Sequence, residues 1–159
     1  MKKYCYLLAA YVFFALVPGS AYAMGILQGD TGYTPMPATN IGFTVTDNLG
    51  VRTTVEHGSI GGKDYIAGYR GLILNIVPLV NVASISFTGA TNPPEPLLDK
   101  LNHTPLEAVI RLKDDTELVV LVDGSLRCYG KTPYGFTRIK LTLIDKIEGI
   151  TLIKKHSAH

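Results

Sequence analysis

Apolar residues recur at the same steps in two stretches of the chain. Ile76, Leu79, Val82, Ile85 and Phe87 form one series, and Leu141, Ile144, Ile147, Ile150 and Leu152 form the other, at a constant offset of 65. Self-similarity of this kind points to one structural unit used twice. Within each series the early spacing of three fits a single 3₁₀ turn, in which such residues eclipse on one side. The later spacing of two is that of a strand, whose alternate side chains share a face. Each copy is therefore predicted to close with a tight turn followed by a strand.

The positions upstream carry the same duplication. Phe43 to Thr46 alternates apolar and polar, Asp47-Asn48-Leu49-Gly50 has turn chemistry, and Val51 to Glu56 alternates again. This predicts a hairpin with one solvated face. In the second copy Ala108 to Lys113 runs out, Asp114 to Glu117 turns, and Leu118 to Val122 runs back. Asp47 aligns with Asp114 at an offset of 67, and Gly58-Ser59-Ile60 with Gly124-Ser125-Leu126 at 66. The drift calls for small gaps, expected in the turns, where insertions are tolerated. A segment rich in Gly and Tyr follows in each copy (63–71 and 129–136), and then a longer strand over 72–77 and 137–143.

The predicted class is all-β with little helix: two related modules of about five short antiparallel strands each, over 42–88 and 107–154. In strand number and in the tight turn before the last strand, each module resembles the SH3-like and Sm-like small barrels. That resemblance is architectural and implies no function. Two arrangements fit: closed barrels in tandem, or one sandwich or barrel that pools strands from both copies. Five short strands bury little surface alone, which favours pooling or tight docking. The linker over 89–106 contains Asn92-Pro93-Pro94-Glu95-Pro96, which cannot pair in a central strand. Leu97 to Leu101 has the spacing for one helical turn that would pin the linker to the core. Residues 24–41 read as a loose arm, and 155–159 as a polar tail.

The first 23 residues have the layout of a secretory signal peptide. Lys2 and Lys3 precede an apolar run over 4–17, then Pro18-Gly19-Ser20 and the small-residue cleavage pattern Ala21-Tyr22-Ala23. The run is short for a membrane span. The expected location is the bacterial periplasm or the exterior, with no stable membrane insertion after cleavage at Ala23. Loss of Lys2 and Lys3 leaves 13 basic against 13 acidic residues. A balanced chain argues against nucleic acid or an anionic membrane as partner, since both call for a basic surplus. Only Cys128 follows the signal segment, so that part of the chain forms no internal disulfide, and Cys128 is expected to pack as a small apolar side chain. No cysteine motif for zinc, redox chemistry or covalent haem occurs, and no cofactor is expected.

Three kinds of site come into question. His57 and Ser59, with Glu56 adjacent, carry the residue types of a serine hydrolase. That chemistry needs a strained nucleophile turn, a base in reach and an oxyanion hole. There is no G-x-S-x-G, and the aligned second copy has Asp123 in place of His57. Metal binding is not expected: His57, His103, His156 and His159 lack ligand spacing, and Asp114-Asp115 lacks the order of a calcium loop. The better recognition surface is the Tyr/Gly segment: Tyr65, Tyr69 and Arg70 in copy one, Tyr129, Lys131 and Tyr134 in copy two, with Phe136 beside them. Tyrosine offers large contact area at low entropy cost, and glycine permits close backbone approach. The sequence thus predicts a non-catalytic binding or structural protein of the cell envelope. Its expected partner is another envelope protein, met through these loops or a sheet edge, and an oligomer is compatible with this reading. The alternative is a small periplasmic hydrolase centred on His57 and Ser59.

Overall fold

Period-two alternation becomes strand wherever one side of the chain is apolar and turn residues bound the run. The computed structural model describes residues 37–101 and 104–153. The predicted signal peptide, residues 24–36 of the arm, His103 and the tail from 154 onward lie outside the described residues. Ten strands follow in order: β1 (Ile41–Asp47), β2 (Arg52–Ile60), β3 (Tyr65–Arg70), β4 (Ile73–Pro78), β5 (Val82–Ala90), β6 (Pro105–Leu112), β7 (Glu117–Asp123), β8 (Arg127–Thr132), β9 (Gly135–Lys140) and β10 (Ile144–Leu152). A 3₁₀ turn precedes β5 (Leu79–Asn81) and another precedes β10 (Leu141–Leu143). The linker carries one short helix, α1 (Glu95–Leu98), and buries Leu97 and Leu101.

All ten strands belong to one open antiparallel sheet, in the order β4-β3-β7-β6-β5-β10-β1-β2-β8-β9. Exchanging the two copies and reading from the other end reproduces this order, so the sheet has a pseudo-two-fold axis between β5 and β10. The axis passes at the Ile85–Ile147 pair, flanked by Ser84 opposite Glu148 and Ser86 opposite Lys146. The order also corrects the tandem-barrel expectation. β3 does not return to β2 of its own copy; it pairs with β7 through Tyr69 and Leu121. Its counterpart β8 pairs with β2 through Ser59–Tyr129 and Ile60–Cys128. Each copy lends its third and fourth strands to the other, so SH3-like or Sm-like barrels closing separately are not what forms. The physical reason is core size, since one pooled core removes more apolar surface from water than two small ones.

The pairing revises the alignment of the copies. The hairpin turns β1–β2 and β6–β7 superpose at an offset of 65, not 67. Gly50 accepts its position with φ of 80° and Asp115 with φ of 66°, each donating its N–H to the carbonyl three residues earlier. From β3 onward the offset is 62: Leu79 matches Leu141, Val82 matches Ile144, and Ile85 matches Ile147. The 65-residue register of the closing motif is thus off by one step of three. Leu141, Ile144, Ile147 and Ile150 are all buried, so sliding by three keeps apolar on apolar. The three extra residues of copy one do not all fall in a turn. β2 is two residues longer than β7 and bulges between Glu56 and Ser59, where His57 adopts φ of 50°.

A single core joins the copies. It draws buried side chains from eight strands and both 3₁₀ turns, including Phe43, Val55, Ile66, Leu79, Ile110 and Val122. The outermost strands add only the half-buried Val77 and Ile139. The exchanged contacts need glycine. A Cβ on Gly68 would lie 2.6 Å from Val120 Cγ2, and one on Gly130 would lie 2.5 Å from Val55 Cβ. Val55 and Val120 are equivalent at an offset of 65, as are Gly68 and Gly130 at 62, so the same close approach is built twice.

Candidate functional site

The exchange carries the two Tyr/Gly segments to opposite ends of the strand order. Tyr65, Tyr69 and Arg70 belong to β3, beside the edge strand β4; Tyr129 and Lys131 belong to β8, beside the edge strand β9. The structure therefore brings each group together but does not join the two. Tyr65, Tyr69 and Tyr129 are half-buried, Arg70 and Lys131 are exposed, and Tyr134 is wholly exposed at the β8–β9 turn. Lys100 Nζ, from the linker, lies 5.7 Å from the centre of the Tyr69 ring, within cation–π range.

Each hairpin forms from its turn chemistry. Gly71, with φ of 60°, opens the two-residue loop between Arg70 and Ile73 as the first central residue of a type II′ turn does. In the other hairpin Pro133 and Tyr134 make the loop and Gly135, with φ of 130°, starts β9. The Thr132 hydroxyl donates to the Gly135 carbonyl at 3.0 Å and accepts the Tyr134 N–H at 3.3 Å.

The β4 edge escaped the sequence reading. Leu72 to Val77 is an apolar run broken only by Asn75, the composition of a strand covered on both sides. The structure places it at the margin, with Leu72, Ile73, Leu74 and Ile76 exposed by 60%, 71%, 48% and 58%. Opposed residues share a face, so Leu74 stands beside Tyr69, Ile76 beside Ala67, and Leu121 of β7 continues the row. Exposed Val119 extends it. The pairs 70/73, 68/75 and 66/77 alternate with those of Leu74 and Ile76, whose N–H groups consequently point away from β3. Pro78, which has no N–H, blunts the far end.

The histidine and serine of the alternative site both lie on β2, at its bulge. His57 is a half-buried bulge residue whose N–H donates to Asn40 Oδ1 at 3.0 Å. The bulge sets His57 and Gly58 together where the other copy has Val122. Ser59 is fully buried inside the sheet, which leaves no approach for a substrate to its hydroxyl. Neither residue lines the clefts beside the linker or the β8–β9 hairpin. Among the described residues no three His, Cys, Asp or Glu side chains converge as metal ligands. Cys128 is buried in the core, and loss of water pushes its thiol up to about 12. The protonated form is inert as a nucleophile.

Open clefts lie among the described residues. One, about 750 Å³, runs between the linker and the β7–β8 turn, past Pro93, Leu101, Gly124, Arg127 and Lys140. A second, about 540 Å³, separates β2 from the β8–β9 tip and is lined by Arg52, Thr54, Tyr134 and Phe136. A third, about 320 Å³, holds Arg127, Arg138, Lys140 and Leu143. On the central strands Glu148 bridges Arg52 Nη2 at 2.6 Å and Lys146 Nζ at 2.7 Å. Lys146, with a smaller contribution from Arg52, holds that carboxyl below its ordinary range. Compared with known proteins, the chain matches no family model, no curated protein and no solved structure.

Proposed function

We propose that this is an exported, non-catalytic binding protein of the bacterial cell envelope that takes an extended segment of a partner protein along the β4 edge. The observation that carries the reading is the chemistry of that edge. Natural edge strands are protected by charge, bulges or cover. β4 has no charged residue, leaves the N–H groups of Leu74 and Ile76 outward, and sets exposed Leu74 and Ile76 next to Tyr69. A partner strand would gain main-chain hydrogen bonds there, with alternate side chains on the Leu74–Tyr69–Leu121 row. The signal-like layout of residues 1–23 supports export.

The test uses Leu74→Pro. The substitution removes an outward N–H and leaves the β3 ladder intact, so the fold is expected to persist by circular dichroism. Panning a library of random peptides on the native protein should enrich segments that alternate apolar and polar residues, and the variant should lose them. Equal enrichment on a folded Leu74→Pro variant would refute the edge reading. Cell fractionation that finds the protein in the cytoplasm would remove the envelope assignment.

A further inference from the structure

From the β8–β9 hairpin at the opposite margin of the sheet we infer a second binding surface: its outer face docks on the anionic headgroups of a lipid membrane. Three cross-strand pairs define that face: Arg127 with Lys140, Tyr129 with Arg138, and Lys131 with Phe136. Cys128 and Gly130 alternate with them and turn to the core, which fixes the six side chains on the outside. The hairpin's face therefore interleaves four cations with two aromatic rings, and the acid beside it is Glu56 of β2, opposite Lys131.

The duplicated copy shows that the fold does not require these charges. At the six equivalent positions, offset by 62, the β3–β4 hairpin carries Tyr65, Ala67, Tyr69, Leu74, Ile76 and Pro78. One scaffold thus exists in the same molecule with four cations and with none. The charged version carries a cost, because Arg127 and Lys140 stand directly opposite each other and like charges in that position destabilise a ladder. Between Gly124 and Ile144 the chain has Arg127, Lys131, Arg138 and Lys140 and no acidic residue. The even net charge from which the sequence argued against anionic membranes conceals this segregation. Local potential, rather than net charge, governs docking to a charged surface.

Charge complementarity selects an anion, and the surrounding apolar groups select a membrane. Tyr134 is wholly exposed, and Phe136 and Leu143 are exposed by 59% and 52%. Leu143 shares a cleft with Arg127, Arg138 and Lys140. A hydrated soluble polyanion would leave those apolar groups in water. A headgroup layer places aromatic rings at the boundary of the hydrocarbon while Lys and Arg meet the phosphates.

The experiment uses residues 34–159, the compact unit that holds the whole core and excludes the apolar N-terminal run. Cosedimentation is measured with vesicles of phosphatidylcholine mixed with the anionic lipid phosphatidylglycerol at roughly 30%, which gives the surface a negative potential, and with phosphatidylcholine alone. Binding is expected only to the anionic vesicles, falling as salt rises. The double variant Arg127→Gln/Lys140→Gln should bind about 30-fold more weakly, given the contribution of each cation near an anionic surface. Tyr134→Ser should weaken binding without reducing its salt dependence. Equal binding to both vesicle types, unchanged binding by the double variant, or binding to soluble dextran sulfate without binding to vesicles would each overturn the inference. Because β4 is untouched, failure here leaves the peptide-binding test standing, and the reverse holds.

Discussion

Gly130→Ala perturbs a close approach between the two copies. The added Cβ would sit 2.5 Å from Val55 Cβ and 2.8 and 3.0 Å from its two Cγ atoms. Carbon pairs prefer about 3.5–4.0 Å, so β8 must retreat from β2 by roughly 1 Å. Overpacking of this kind costs about 1–3 kcal/mol. Alanine also stiffens the unfolded chain, which offsets about 0.5–1 kcal/mol. The expected net loss is about 1–2 kcal/mol, or a melting temperature lower by about 3–10 °C for a body of this size. Urea denaturation measures it directly. Two further variants test the cause. Val55→Ala trims the methyl groups but keeps the Cβ that makes the shortest contact, so it should not rescue Gly130→Ala. Gly42→Ala meets only the flexible end of Ile153, at 2.7 Å from Cδ1, and should stay within about 0.5 kcal/mol of the parent. Gly68→Ala, the symmetry mate, should match Gly130→Ala in size. Parental stability for Gly130→Ala, or full rescue by Val55→Ala, would sink the argument.

Ile147→Asp buries an uncompensated carboxylate at the pseudo-two-fold axis, opposite Ile85 and Val45, and should cost at least about 3 kcal/mol. Because one core serves both copies, both should melt in a single transition; survival of the first copy as a separate transition would argue against the pooled core. Cys128 should resist thiol reagents at pH 8 until the protein is unfolded, and rapid labelling of the native state would contradict its burial. Its raised folded-state value also has a signed consequence. The stability it confers is full below the ordinary thiol value of 9.0 and is lost between there and about 12. A Cys128→Ala variant should lack that component, about 1.4 kcal/mol per pH unit in denaturation curves.

The alternation of Phe43 to Thr46 and Val51 to Glu56, with turn residues between, was enough to predict a hairpin, because local pattern and turn chemistry agree there. The tight turn before the last strand was likewise legible in the spacing of Leu79 and Val82. The register of the repeat was not. Leu141, Ile144, Ile147 and Ile150 continue at steps of three, and a sequence with that period superposes on its twin equally well after sliding by one step. Hydrogen-bonded partners chose between the two registers, by setting Leu112 opposite Val82 and Asp47 opposite Ile144. The candidate surfaces divided in the same way. Tyr69, Lys131 and Tyr134 could be picked out as polar or aromatic residues near glycines. The run from Leu72 to Val77 was legible as a strand but not as an edge, and the four cations of the β8–β9 hairpin vanished into a neutral total.

What the sequence determined by itself was therefore the all-β class, the turns and the apolar positions of the core, since each is set by neighbours a few residues apart. Only the tertiary structure decided that the copies trade their third and fourth strands, which strands become edges, and which face each cation shares. Those outcomes depend on residues far apart in the chain, such as Gly130 against Val55 and Tyr69 against Leu121. Many pairings satisfy the local pattern, and the burial of a common core selects one of them.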